Sequence, residues 1–317
     1  MLKIILVALL AFLVQYSFKV LLTLDVHKRT YNHRPGPCRK IEGVVNGSED
    51  ITISYEKNLA FITSGIVFLH SDSSKTENNG EMFVYDLSQR TYKAERIPVK
   101  NLEDSEFLPH GISHWVLKDG TVRLFVVVHS KDFKHSIVIL DYDEKNRVLN
   151  HVRTIRDDKF NSHYLLENTA TNGIILSNDK KTLYVSFIYE ETIGVFDWNV
   201  GKQEIREVSK IETLTACDNF HVDEDDNLWS ACHPVLKDAA KHLGNHKNKD
   251  LHSPTQVLRF KFSEDRKFAE IVEVFSDEGR FTSAGAVATS FDNGKQMLIG
   301  TVFRDVTHCD INISLDF

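Results

Sequence analysis

Asn172-Gly173-Ile174-Ile175-Leu176-Ser177-Asn178-Asp179-Lys180-Lys181-Thr182-Leu183-Tyr184-Val185-Ser186 is the stretch on which the fold turns. A polar opener leads into a short apolar strand, a charged turn, and a stronger apolar strand. The same order returns from Ser48-Glu49-Asp50-Ile51 to Leu59-Ala60-Phe61-Ile62, and from His110-Gly111-Ile112-Ser113 to Leu124-Phe125-Val126-Val127. It returns again from Asp218-Asn219-Phe220 to Leu228-Trp229-Ser230, and from Gly285-Ala286-Val287 to Met297-Leu298-Ile299-Gly300. Repeated units of this kind, none able to bury its faces alone, read as blades of an all-β propeller. Gly80–Leu87, Ser136–Tyr142, Ile193–Trp198 and Gln256–Phe260 supply outer strands, most ending in an acidic or aromatic residue before a turn. Radial closure brings the openers to one end of the central channel, among them Glu49, Asp50, Asn172, Asp218 and Asn219. Carboxylate and amide oxygens converging on an axis suit a hard cation such as Ca²⁺.

The chain has 317 residues and 42% hydrophobic content, enough for one large all-β core. A net charge of −7, with no basic stripe carrying interleaved aromatics, argues against nucleic acid as a partner. None of the four cysteines forms a C-x-x-C pair, which removes zinc ribbons and thioredoxin-type motifs. Cys38 and Cys309 sit near opposite ends of the chain's globular part; in a closed ring those ends meet, so a disulfide there would lock the closure. Cys217 and Cys232 are expected to remain buried thiols.

Ile4 to Leu24 is mostly apolar and follows Lys3, with no clean small-x-small cleavage site behind it. Residues 1–24 are read as an uncleaved signal and membrane anchor, with a cleaved signal peptide as the rival. Residues 25–37, with Pro35 and Pro37, read as a polar linker, and 38–317 as the propeller domain. Lys28, Arg29, Arg34, Arg39 and Lys40 after the apolar run favour a cytoplasmic body. The terminal cysteines and the sequon Asn312-Ile313-Ser314 favour the lumen or the outside, and the secretory reading is adopted, membrane-anchored or extracellular. Pro234 to Leu251 is the one expected helical or loop insertion, its Lys and His residues forming a solvated face.

Several motifs in one order resemble the serum paraoxonase/arylesterase family. They are Gly47-Ser48-Glu49-Asp50, Leu59-Ala60-Phe61-Ile62-Thr63-Ser64-Gly65, Pro109-His110-Gly111-Ile112-Ser113, Asn172-Gly173-Ile174, Asp218-Asn219, Leu228-Trp229-Ser230-Ala231-Cys232-His233-Pro234 and Ile299-Gly300-Thr301-Val302-Phe303. The resemblance runs from about Cys38 to Cys309. It implies a six-bladed propeller with a retained N-terminal signal, two central calcium ions, and lactonase and arylesterase activity. Carried over by motif, Glu49, Asn172, Asp218 and Asn219 would ligate the catalytic calcium, and Asp50 with the carbonyl of Ile112 the structural one. His110 would accept the proton of the attacking water, with His129 as its partner, and Cys38–Cys309 would be the family disulfide.

One departure stands out. The family carries a further Asn-Asp opener, one ligand for each calcium, between the His129 and Asn172 motifs. Here Thr154-Ile155-Arg156 leads almost directly to Asn161-Ser162-His163-Tyr164 and Asn168. Roughly forty residues are missing, about one blade. Asn161 could stand in for the lost amide, but Ser162 cannot replace the lost carboxylate. Val128 also replaces the family's Asn before the second His.

Calcium with open positions can polarise an ester carbonyl while His110 deprotonates water. No G-x-S-x-G motif supports a serine nucleophile. The expected substrates are apolar lactones and aryl esters. The competing reading is a catalytically impaired, membrane-anchored propeller that assists membrane proteins; a gluconolactonase-like calcium hydrolase is the third. His233 is expected to be structural, and Trp115 and Trp229 blade core.

Overall fold

Alternating apolar residues with a charged turn every few positions fold here as antiparallel hairpins, each sequence unit forming the inner hairpin of its own sheet. The computed structural model describes residues 2–68, 79–103, 107–130, 134–157, 170–199, 201–202 and 204–315, so the Asn161, Ser162, His163, Tyr164 and Asn168 readings lie outside the described residues. After helix α1 (Leu2–Thr23) and strand β1 (Cys38–Ile41), blade one holds β2 (Ile51–Ser54), β3 (Leu59–Ser64), β4 (Glu81–Asp86) and β5 (Glu95–Ile97). Blade two holds β6 (Val99–Lys100), β7 (Leu108–Val116), β8 (Val122–His129), β9 (His135–Asp143) and β10 (Val148–Ile155), with β7 innermost and β6 outermost. Blade three is β11 (Thr171–Leu176), β12 (Thr182–Phe187), β13 (Thr192–Asn199) and β14 (Glu204–Glu212). Blade four is β15 (Ala216–Val222), β16 (Leu228–His233), then helix α2 (Leu236–Gly244), β17 (Thr255–Phe262) and β18 (Ala269–Asp277). Blade five is β19 (Gly285–Phe291), β20 (Gln296–Thr301) and β21 (Val306–Asp310), completed by β1 from the start of the propeller.

The chain is therefore a five-bladed propeller. β1 pairs antiparallel with β21, placing Cys38 opposite Cys309, and the two are disulfide-bonded as expected. Cys217 and Cys232 correct the thiol expectation. The β15–β16 register sets them directly across from each other, and they too are bonded.

Apolar cores sit between blades. Ile51, Ile53 and Phe83 of blade one meet Val287, Leu298 and Val306 of blade five. The other face of blade one, with Phe61 and Met82, meets Leu124, Val126 and Leu140 of blade two. Blades three and four share Tyr184, Val195, Leu228 and Phe260, and blades four and five share Trp229, Phe275, Met297 and Ile299. Between blades two and three lies instead a cleft of about 850 Å³, lined in part by Trp115, Val116 and Phe125 on one side and Ile174, Ile175 and Leu183 on the other. Strand β8 records the difference: it alternates buried and half-buried, whereas β16 is buried throughout. The cleft lies where the sequence is one opener short. It leaves Trp115 58% exposed, so Trp115 is not blade core, whereas Trp229 is fully buried as expected.

α1 is long and apolar enough to cross a membrane, and none of it is buried against the propeller. Its end is fixed. Leu24 O accepts from Lys237 N and the buried Asp25 carboxylate from Leu236 N, at the start of α2. Residues 25–37 then cross the body, with Lys28 on Glu191, His33 bridged to Ser276, and Arg34 on Asp277. In α2, His242 is fully buried, against the expectation of a solvated Lys and His face.

Candidate functional site

The inner hairpins of blades two to five each break register at their opener. The shifts fall between Pro109 and Ile112, Thr171 and Ile174, Cys217 and Phe220, and Gly285 and Val287. A bulge bends the strand and re-aims side chains. Three of these bulges hold His110, Asn172, Asp218 and Asn219, so residues that would alternate across a regular strand point at the channel axis. In blade one, Glu49 and Asp50 precede β2. Close approach of the openers needs glycine: a Cβ at Gly173 would collide with the backbone of Asp218 and Asn219.

The structure brings together Glu49, Asn172, Asp218, Asn219, His110 and His129. Glu49 is 2% exposed, Asp50 8% and Asp218 4%. Glu49 Oε1 accepts from Asn219 Nδ2 at 2.6 Å and lies 3.0 Å from His110 Nε2. Glu49 Oε2 is buried and has no partner. Asn172 Nδ2 donates to Asp218 Oδ1, and His233 Nε2 lies 3.0 Å from Asp218 Oδ2. His110 Nδ1 lies 3.0 Å from His129 Nε2. Asp50 stands apart: its Oδ1 accepts from Ile51 N at 2.9 Å and its Oδ2 from Ile112 N at 2.8 Å. Ile112 thus meets Asp50 through its N–H.

Burial and mutual repulsion govern the charges. Burial, then the Glu49 charge, pushes the Asp50 carboxyl well above the usual range, although two N–H bonds oppose this. Burial likewise raises Asp218 despite His233. Burial also acts to raise Glu49, but the charge and hydrogen bonds of His110, with Asn219, hold it below the ordinary value. Burial would lower His110, yet Glu49, Asp218 and Asp50 push it up to about 9. His129 is lowered to about 3 by burial, then by the nearby His110 and His135.

Three contributors escape sequence reasoning. Thr63 Oγ1 donates to His110 O at 2.6 Å and accepts from Asp50 N, tying two openers together. His233 lies against Asp218, a position readable only from the β15–β16 pairing. His135 closes on His129 from the neighbouring strand.

Among the described residues, no group of three His, Cys, Asp or Glu could hold a metal ion. Any cation here therefore needs the amides. Two carboxylates, Glu49 and Asp218, and two amides, Asn172 and Asn219, form an all-oxygen donor set once each amide turns its oxygen inward. The orphaned Glu49 Oε2 and the crowding of buried carboxylates fit such an ion. Asp50 meets Ile112 through the Ile112 N–H rather than its carbonyl, with one N–H on each Asp50 oxygen.

A sequence model of the arylesterase family matches residues 31–166 and 164–311, and the chain belongs to that family. The two matched pieces meet where the Asn-Asp opener is missing. Serum paraoxonase/arylesterase 2 of Gallus gallus is 28% identical, over 86% of this chain and 88% of that protein. That alignment runs over 331 positions, more than this chain contains, so the relative carries residues that this chain lacks. Serum paraoxonase/lactonase 3 of Oryctolagus cuniculus is 27% identical over 87% of this chain and 89% of its own length. Mechanosensory abnormality protein 6 of Caenorhabditis elegans is 25% identical over 94% of this chain and 93% of its own. Among solved structures, the periplasmic gluconolactonase of Pseudomonas aeruginosa shares the fold, with a TM-score of 0.50, 11% identity, and 83% and 85% of the two chains covered.

Proposed function

We propose that this arylesterase-family chain hydrolyses apolar lactones and aryl esters in a calcium-dependent reaction, with His110 as the base. The observation that carries the reading is the buried Glu49 carboxylate, held between His110 and Asn219 with one oxygen left without a partner. Glu49, Asn172, Asp218 and Asn219 would hold one ion. Bound calcium supplies polarisation of the ester carbonyl. The protein's own groups do the rest. Against the Glu49 carboxylate alone His110 holds its proton; a cation held by Glu49 would disfavour that imidazolium charge and leave His110 able to take a proton from water and return it to the leaving oxygen. His129 holds the far edge of the His110 ring, and Asn172 and His233 fix Asp218. Residues 1–24 would anchor the enzyme in a secretory-pathway membrane, and the exposed Asn312 would carry a glycan.

A second reading, a membrane-anchored propeller that assists membrane proteins without hydrolysis, is favoured by one observation. The relative named for mechanosensory abnormality matches more of this chain than the paraoxonases do. The test uses the full chain in detergent, with phenyl acetate and δ-valerolactone as substrates, and compares calcium with chelator and wild type with His110→Gln. Hydrolysis lost by about 100-fold or more in both comparisons supports the first reading. No hydrolysis by calcium-loaded wild type favours the second.

A further inference from the structure

Resting on the reading of Asp218 and Asn219 as calcium ligands, we propose that Cys217 and Cys232 are positioning residues of the site. Their disulfide clamps the blade-four bulge so that two consecutive side chains, Asp218 and Asn219, both point into the channel. Blade four demands more of its bulge than its neighbours do. The shifts in blades two and three each pair one site residue with a glycine, His110 with Gly111 and Asn172 with Gly173. In blade four both residues of the shift carry a site side chain, and neither is glycine. Asp218 turns to Asn172 and His233, while Asn219 Nδ2 reaches Glu49 Oε1 at 2.6 Å. Successive side chains of a regular strand leave on opposite faces, so this arrangement needs the backbone held on both sides of the bulge.

After the bulge, Phe220 pairs with Ser230, whose Oγ donates to Asn219 O at 2.9 Å. Before it, Cys217 pairs with Cys232, and their Cα atoms lie 3.9 Å apart. That is the closer antiparallel spacing, at which opposed residues exchange no backbone hydrogen bonds. The sulfur bridge is therefore the tie at this rung. It joins the residue before Asp218 to the residue before His233, and so fixes the two backbones whose side chains meet at 3.0 Å. At the equivalent rung the other bulged blades have Pro109 opposite Val128, Thr171 opposite Phe187 and Gly285 opposite Thr301, none of which can be bridged. The bond is not needed to close the ring: it spans 15 residues within one hairpin, whereas Cys38–Cys309 spans 271. Cys217 is 3% exposed and Cys232 fully buried, so dissolved thiols do not reach the bridge and it serves as a fixed part of the site.

The experiment uses the full chain in detergent. Alkylation of the denatured, unreduced protein should leave Cys217 and Cys232 unmodified; free thiols at both positions overturn the proposal. Calorimetric titration with calcium alone then compares wild type with Cys217→Ala/Cys232→Ala, well below their melting temperatures. The Kd should rise about tenfold, and kcat for phenyl acetate should fall about tenfold. Cys217→Val/Cys232→Ala, which refills the vacated space, should show the same two losses and stands in if the alanine pair does not fold. Cys38→Ala/Cys309→Ala should lose stability while its calcium Kd stays within about twofold of wild type. A wild-type Kd in the folded Cys217 and Cys232 variants, or an equal rise on removing Cys38–Cys309, overturns the proposal. Hydrogen exchange without metal gives a second readout: amides of residues 217–222 should exchange faster once Cys217–Cys232 is removed, with those of β17 unchanged. If wild type neither binds calcium nor hydrolyses ester, the functional reading fails, while the exchange comparison still decides whether the bridge holds the bulge.

Discussion

The inner strands carry histidines at both ends, and the two ends treat them in opposite ways. At the opener end, His110 faces the buried Glu49, Asp218 and Asp50 and rises to about 9. Four residues further along the same strand, His114 shares its Nδ1 with Thr52 Oγ1 at 2.7 Å and falls to about 4, because burial is not offset by any carboxylate. His221, three residues beyond Asp218, lies 2.6 Å from Tyr55 Oη and falls to about 3, again through burial. Tyr55 Oη donates to Ser290 O, so it accepts from His221 Nε2–H, and that histidine is neutral. Residue type and strand are shared between the ends; the partner decides the charge. Carboxylates gathered at the openers put one end under charge, while hydroxyl partners leave the other neutral.

The largest effect should come from removing the carboxylate that sets the contrast. Glu49→Gln should cut hydrolysis of phenyl acetate by about 100-fold or more. The same change should let the His110 titration, followed by NMR, fall from about 9 toward or below its ordinary value of 6.5. A His110 that stays near 9 would mean that Glu49 is not its cause. Metal addition separates the two ends next. Calcium at about 100 times its Kd should stabilise wild type by about 2.7 kcal/mol. For a chain of 317 residues that corresponds to roughly 4 °C in melting temperature. The rise should vanish in Glu49→Gln and persist in His221→Gln.

Acid should act through the opposite end. His221 stays neutral when folded down to about 3, while the unfolded chain takes up its proton near 6.5. The unfolded state then binds more protons, so stability is lost as pH falls from 6.5 toward 3. At pH 5 the loss is about 2 kcal/mol. Urea unfolding at pH 7 and pH 5 should show it, with a shallower slope in His221→Gln. The smallest effect is expected from Tyr55→Phe, which unpairs His221 and the Ser290 carbonyl. It should cost about 1–2 kcal/mol. Hydrolysis should be unchanged, and a loss of activity would join the two ends functionally.

Local chemistry explains what was legible. Openers, turns and apolar runs are short-range signals, and they marked the five inner hairpins within a few residues of where they fold. The Cys38–Cys309 bond followed from ring closure. Trp115 was misread because an apolar residue in a strand is normally covered by the next blade, and here the next blade stands across a cleft. Cys217–Cys232, His233 and His135 were missed for one reason. Each acts across a strand pair, and which residues face each other there is set by the pairing register, shifted by a bulge in β15–β16 and regular in β8–β9, which no local pattern announces.

By itself the sequence determined the propeller class, the apolar N-terminal helix, the closing disulfide and the residues at the openers. Only the tertiary structure decided how those openers meet. Glu49 is left with an unpartnered oxygen, Asp50 accepts a backbone N–H on each oxygen, and His110 leans on His129 and then His135. The physical reason is range. Periodicity and turn chemistry are encoded within a dozen residues, whereas hydrogen-bond partners and charge are set by groups brought together from blades far apart in the chain.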